Sequence, residues 1–101
     1  MLIISGTVTF DPDDLQALLP AALTMVEESR KEDGCIEYEF AEVLGTPGVI
    51  RIWEIWESSE HLKAHGASAH MLDWREALGA VNPLGRGLNR YEGDFEISPL
   101  N

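Results

Sequence analysis

A single cysteine, Cys35, in 101 residues excludes any intrachain disulfide, so packing and hydrogen bonding alone must hold the fold. Basic residues are scarce. Seven Lys and Arg stand against eighteen Asp and Glu, a formal net charge of −11. So few cations form no basic stripe, which disfavours nucleic acid and anionic membrane surfaces and favours a small, neutral or weakly charged ligand. No apolar run approaches the roughly 20 residues that cross a bilayer. The opening MLIISGTVTF has no basic stretch before its apolar one and reaches Thr7 and Thr9 too early for a signal peptide, so a cytoplasmic location is expected. A glycine-rich phosphate loop, a nucleophile elbow and a dinucleotide fingerprint are also missing. What is there is an ordinary globular composition, 45% hydrophobic, of a length that suits one domain over residues 1–101.

Periodicity divides the chain into six regions. Leu2 to Phe10 alternates as a strand, with Leu2, Ile4, Val8 and Phe10 on one face and Ile3, Ser5, Thr7 and Thr9 on the other. Asp11-Pro12-Asp13-Asp14 then gives an N-cap, a first-turn proline and acids at the positive end of a helix dipole. The helix carries a stripe of Leu15, Leu18, Leu19, Ala22, Met25, Val26 and Ser29, with Pro20 inside it as an expected kink and Gly34 as its stop. Cys35 to Glu42 and Val49 to Trp56 read as strands joined by a turn at Gly45-Thr46-Pro47-Gly48. Ser58-Ser59 caps a second helical region that breaks at Gly66-Ala67-Ser68, restarts at Ala69 and ends at Asn82-Pro83. After a glycine-rich loop, Leu84 to Gly87, the last strand is expected over Leu88 to Ile97.

The order β-α-β-β-α-β predicts an α+β, ferredoxin-like fold: a four-stranded antiparallel sheet with both helical regions on one face. The third strand is apolar on both sides. Ile50, Ile52 and Trp56 share one face with Glu54, while Trp53, Ile55 and Arg51 share the other. Leaving Trp53, Ile55 and Ile3 uncovered would expose a patch of a kind monomers rarely carry, so a homodimer packed sheet to sheet is expected, with Trp53 serving it.

All three tryptophans and all three histidines lie between Trp53 and Trp74. His61 and His65 are four apart and His70 lies near the next turn, the spacing of metal ligands in principle. HLKAH lacks the glutamate of a zinc-protease motif, however, and the sole cysteine is distant, so no metal site is expected. His61 is expected at the surface. His65 and His70 are either helix residues packed towards the sheet or proton acceptors in a pocket, where a neutral imidazole suits a phenol. Glu54, the one acid on its face of the strand, is either paired with a histidine or arginine or is a pocket base whose pKa burial would raise. Trp56 and Trp74 suit the core and would also stack a flat ligand. Tyr38, Asn89 and Tyr91 are strand residues that could orient one. Cys35 has no base near it in sequence and is not expected to be a nucleophile.

EDGCIEYEF followed by IRIWEIWESSEHLKAHGASAHMLDWREAL resembles the antibiotic biosynthesis monooxygenase family, with its small bacterial quinol monooxygenases as the nearest look-alikes. The resemblance implies a dimeric α+β barrel and oxidation of a small quinol or polycyclic phenol by O₂ with no cofactor. A deprotonated electron-rich phenol can itself give an electron to O₂, so such a pocket needs only apolar walls, a proton acceptor and hydrogen bonds to the developing anion. It implies His65, His70 and Glu54 as catalytic candidates and Trp56, Trp74, Tyr38 and Asn89 around the substrate, between the sheet and the second helical region. Haem-degrading relatives carry an asparagine and a histidine where Gly6 and Arg75 stand here, so haem degradation is disfavoured. A non-catalytic binding or interaction dimer, and a non-oxidative isomerase or cyclase on the same barrel, are the alternatives.

Overall fold

The computed structural model describes residues 1–100, arranged as β1 (Leu2–Thr9), α1 (Pro12–Arg30), β2 (Cys35–Glu42), β3 (Val49–Trp56), α2 (Ser59–Gly66), α3 (Ala69–Val81) and β4 (Gly85–Glu92). The strands form one antiparallel sheet in the order β2-β3-β1-β4, the ferredoxin-like arrangement read from the sequence. Among the described residues, no helix is long and apolar enough to cross a membrane.

Local chemistry sets the helix starts. Asp11 accepts a hydrogen bond from the Asp13 amide at 2.9 Å, Ser58 from the His61 amide at 3.3 Å, and Ser68 from the Met71 amide at 3.2 Å. The break foreseen at Gly66-Ala67-Ser68 is where α2 ends and α3 begins. Helix α1 runs through Pro20, which is exposed, so the single lost backbone bond faces water rather than the core. Its buried stripe of Leu15, Leu18, Met25 and Val26 shares one core with Leu2, Val8, Ile50, Ile52 and Trp56 from the sheet and Trp74 of α3.

Two expectations are corrected. The last strand is Gly85–Glu92, not Leu88–Ile97: the glycine-rich segment read as a loop pairs with β1 from Gly85 opposite Thr9 to Glu92 opposite Leu2. Past Glu92 there is no further β1 to pair with, and Phe95 and Ile97 lie partly exposed outside the sheet. Ile55, expected on an uncovered face, is 4% exposed within one chain, whereas Tyr91 on the same face is 49% exposed.

Candidate active site

The turn after α1 folds back on the helix end. Glu32 N–H donates to the Ser29 carbonyl at 3.1 Å and Cys35 N–H to the Glu32 carbonyl at 3.2 Å. Gly34 holds φ +80°, and a Cβ there would lie 2.2 Å from His61 Cγ, so the turn tolerates only glycine at that point. This turn carries the Glu32 carboxylate across to the end of α2 and the start of α3. There one oxygen, Oε2, accepts from His65 Nδ1 at 2.5 Å and from His70 Nε2 at 3.0 Å. The other nitrogen of His65, Nε2, is 3.4 Å from the Tyr38 hydroxyl.

His65 is buried, its ring 4.7 Å from that of Trp56 and 5.3 Å from that of Tyr38. Burial lowers its pKa, with the Glu32 hydrogen bond working the other way. A neutral ring carrying its proton on Nδ1 satisfies both neighbours: it donates to Glu32 and accepts from Tyr38 O–H. Burial, aided by the nearby Glu54 charge, pushes the Tyr38 phenol far above its usual range. Burial also raises the Cys35 thiol to about 11, which fits its expected inertness.

Next to this cluster, between the sheet and α3, lies a partly enclosed cavity of about 190 Å³. Tyr38 and Phe40 of β2, Ile52 and Glu54 of β3, Met71 and Trp74 of α3, and Leu88 of β4 line it, with Arg75 and Arg86 also on its wall. Larger depressions of about 460 Å³ at the β2 edge, with Cys35 and Tyr38 in its lining, and about 380 Å³ along α1 are more open. The more enclosed cavity is the better site. A cavity of ~150 Å³ already accepts benzene, so this one suits a single substituted ring.

Glu54 is the acid in that cavity. It is 7% exposed, and among the described residues its side chain's only hydrogen bond comes from the Trp56 indole N–H, at 2.9 Å to Oε1. Burial raises its pKa to about 7, against the indole's opposing pull and with a smaller push from Glu32. A carboxylate tuned to neutrality in an apolar cavity is what a general base requires.

The predicted site residues separate into three groups. Tyr38, Glu54 and Trp74 line the cavity. His65 and His70 converge, but on Glu32 rather than on the cavity, and Tyr38 joins the two places. Trp56 is not a wall: at 0% exposed it is wedged behind Glu54 and against His65. Asn89 pairs with Ser5 on the sheet face away from the helices and is exposed, so it is remote from both. Glu54 pairs with neither a histidine nor an arginine but with an indole, because its strand neighbour two residues on reaches it first. His61 is partly covered rather than free, its Nδ1 2.7 Å from Ser58 Oγ. Glu32 was missed. Its one sequence signal is an acid just past the C-terminal end of α1, where the helix dipole disfavours negative charge.

Fold and site together define a small α+β domain with a buried carboxyl in a ring-sized cavity backed by a Glu–His–Tyr chain. The profile of the antibiotic biosynthesis monooxygenase family matches residues 1–77, and the chain belongs to that family. It is similar to YjcS of Bacillus subtilis, an uncharacterised protein, at 33% identity over 60 residues, covering 59% of this chain and 57% of YjcS. The chain spans about half the length of such curated relatives. A solved structure from Deinococcus radiodurans, provisionally named an antibiotic biosynthesis monooxygenase, superposes with a TM-score of 0.88 at 26% identity over 100% of both chains. Rv0793 of Mycobacterium tuberculosis gives 0.84 at 25% identity, covering 96% of this chain and 98% of its own.

Proposed function

We propose that the chain is an oxygenase that oxidises a small, single-ring quinol or phenol with O₂ inside the 190 Å³ cavity, with Glu54 as the proton acceptor. The observation that carries the reading is the Glu54 carboxyl, buried in an apolar enclosure and poised near pH 7. Family membership supports the reaction class. Glu54 takes the phenolic proton, and the electron-rich ring reduces O₂. One oxygen atom enters the product, and the other leaves as water. Trp74, Phe40 and Met71 supply the apolar walls, and no cofactor is needed in this scheme. Cavity size favours one ring over the polycyclic phenols that the family resemblance also allowed.

The test is oxygen uptake by chelator-treated protein with a panel of hydroquinones, catechols and anthrone. Single-ring quinols should be consumed fastest, and with ¹⁸O₂ the product should carry one labelled atom. Uptake at the protein-free rate for the whole panel would overturn the reading. Conversion that proceeds equally under nitrogen would replace it with an isomerase using the same base.

We also propose that two copies pack through the face of the sheet opposite the helices. Ile3 and Trp53 are half-covered there and Tyr91 is largely open, a surface that a twofold partner would bury. The face also holds polar groups: Trp53 Nε1 donates to Glu37 Oε2 at 2.6 Å. Sedimentation velocity should show a dimer at micromolar concentration, and Trp53→Asp should shift it to monomer by placing an unpaired charge at the centre. A wild-type chain that sediments as a monomer would refute this.

A further inference from the structure

We infer that Glu32, His65 and His70 form a binding site for a borderline first-row divalent ion, of which Zn²⁺ is the natural probe. The histidine spacing suits metal ligands in principle, but HLKAH lacks a motif glutamate and the sole cysteine is distant in sequence, so no metal site is expected from the sequence. The turn after α1 supplies the third donor. Glu32 Oε2 lies 2.5 Å from His65 Nδ1 and 3.0 Å from His70 Nε2, and all three donor atoms lie within 4.8 Å of one another.

The donor set decides the class of ion. Two imidazoles and one carboxylate suit zinc and its first-row neighbours, whereas calcium and magnesium prefer oxygen throughout. Three protein ligands leave a further position for water or a small molecule. Donors around a tetrahedral ion at ~2.0–2.1 Å stand about 3.3 Å apart, so the two separations from Glu32, 2.5 Å and 3.0 Å, must each open by less than an ångström. The side chain free to move is Glu32, on a turn and 18% exposed, whereas His65 is fixed between Trp56 and Tyr38.

Outer contacts are already in place. Once Nδ1 of His65 faces a metal ion, its proton sits on Nε2, and the Tyr38 oxygen 3.4 Å away accepts a hydrogen bond from it. A partner of that kind orients metal-bound histidines. His70 and Glu32, at 17% and 18% side-chain exposure, give the ion a path from solvent, and the net charge of −11 draws cations towards the chain. None of the three ligands lines the cavity, which the site meets through Tyr38, and the site does not depend on the oxygenase reading.

The experiment is calorimetric titration of the untagged, chelator-stripped full chain with Zn²⁺, with Co²⁺ absorption to read the coordination. The expected result is one ion per chain with a dissociation constant of about 1 µM or tighter. Affinity should fall about 100-fold in His70→Ala and at least about 10-fold in Glu32→Gln, while His61→Ala binds as the parent does. His61 serves as the control because its ring pairs with Ser58 and, at 3.6 Å, with Asp33, away from Glu32, His65 and His70. Circular dichroism confirms that each variant is folded; if His70→Ala is not, Glu32→Gln, which keeps the shape of the side chain, decides. Binding weaker than about 100 µM, or binding that survives Glu32→Gln and His70→Ala, would overturn the inference.

Discussion

Replacing Glu54 with glutamine is expected to slow quinol oxidation by about 10²–10⁴-fold while making the protein more stable at pH 8. Both effects follow from one buried carboxyl. Its pKa in the folded chain is raised to about 7, above the ordinary value of 4.5. Between those values the folded chain holds a proton that the unfolded chain has released, so stability falls as pH rises through the window. Above pH 7 the ionised group is present in both states, and hosting it in the fold costs about 3 kcal/mol. Glutamine keeps an oxygen for the Trp56 N–H and carries no charge. Urea titrations at pH 5 and pH 8 should therefore show the two proteins close together at the lower pH and the variant ahead at the higher. The rate side has the same signature: kcat/KM of the parent should rise with pH to a plateau above an inflection near 7, and the variant should lose that inflection. Parent and variant with equal rates would remove Glu54 from the mechanism. An equal stability difference at both pH values would show that folding leaves the Glu54 pKa unchanged.

Gly6→Ala is expected to destabilise the fold by about 3 kcal/mol or more. A Cβ at Gly6 would lie 1.9 Å from the Gly87 carbonyl oxygen and 2.8 Å from Gly87 C and Leu88 Cα. All three are backbone atoms, so no side chain can swing aside. The strand β4 must leave β1 to make room, and eight paired positions go with it. Gly79→Ala is the contrast, since that glycine lies within α3 with nothing within 4 Å of the added carbon. It should gain about 0.5–1 kcal/mol from helix propensity. Chemical denaturation of both variants checks the pair. The same crowding leaves no room for any larger side chain at this position.

How much of this was legible depends on where the information lay. Leu15, Leu18, Ala22, Met25 and Val26 advertise α1 through their own spacing, and Ile50, Ile52 and Trp56 advertise β3, so those elements fell where patterning put them. Strand β4 has almost no apolar alternation; only Leu88 is even partly buried. Its glycines therefore read as a loop. Their place in the sheet follows from pairing with β1, and so does the face on which Asn89 stands, which is a tertiary fact. Glu54 could be singled out because an acid in an apolar row must either ionise at a penalty or stay protonated. Glu32 could not. Its role comes from a four-residue turn that swings it across more than thirty positions of sequence to His65 and His70. Trp56 was read as a wall because bulk and flatness were visible, whereas its complete enclosure was not.

Tyr38 belongs to two neighbourhoods at once: its ring borders the cavity, and its hydroxyl lies beside His65. A guest that displaces the ring also disturbs the group on which the imidazole's protonation pattern rests. Thermodynamic reciprocity then requires that whatever the guest does to the affinity for an ion beside Glu32, the ion does to the affinity for the guest by the same factor. One phenol thus makes two sites speak to each other.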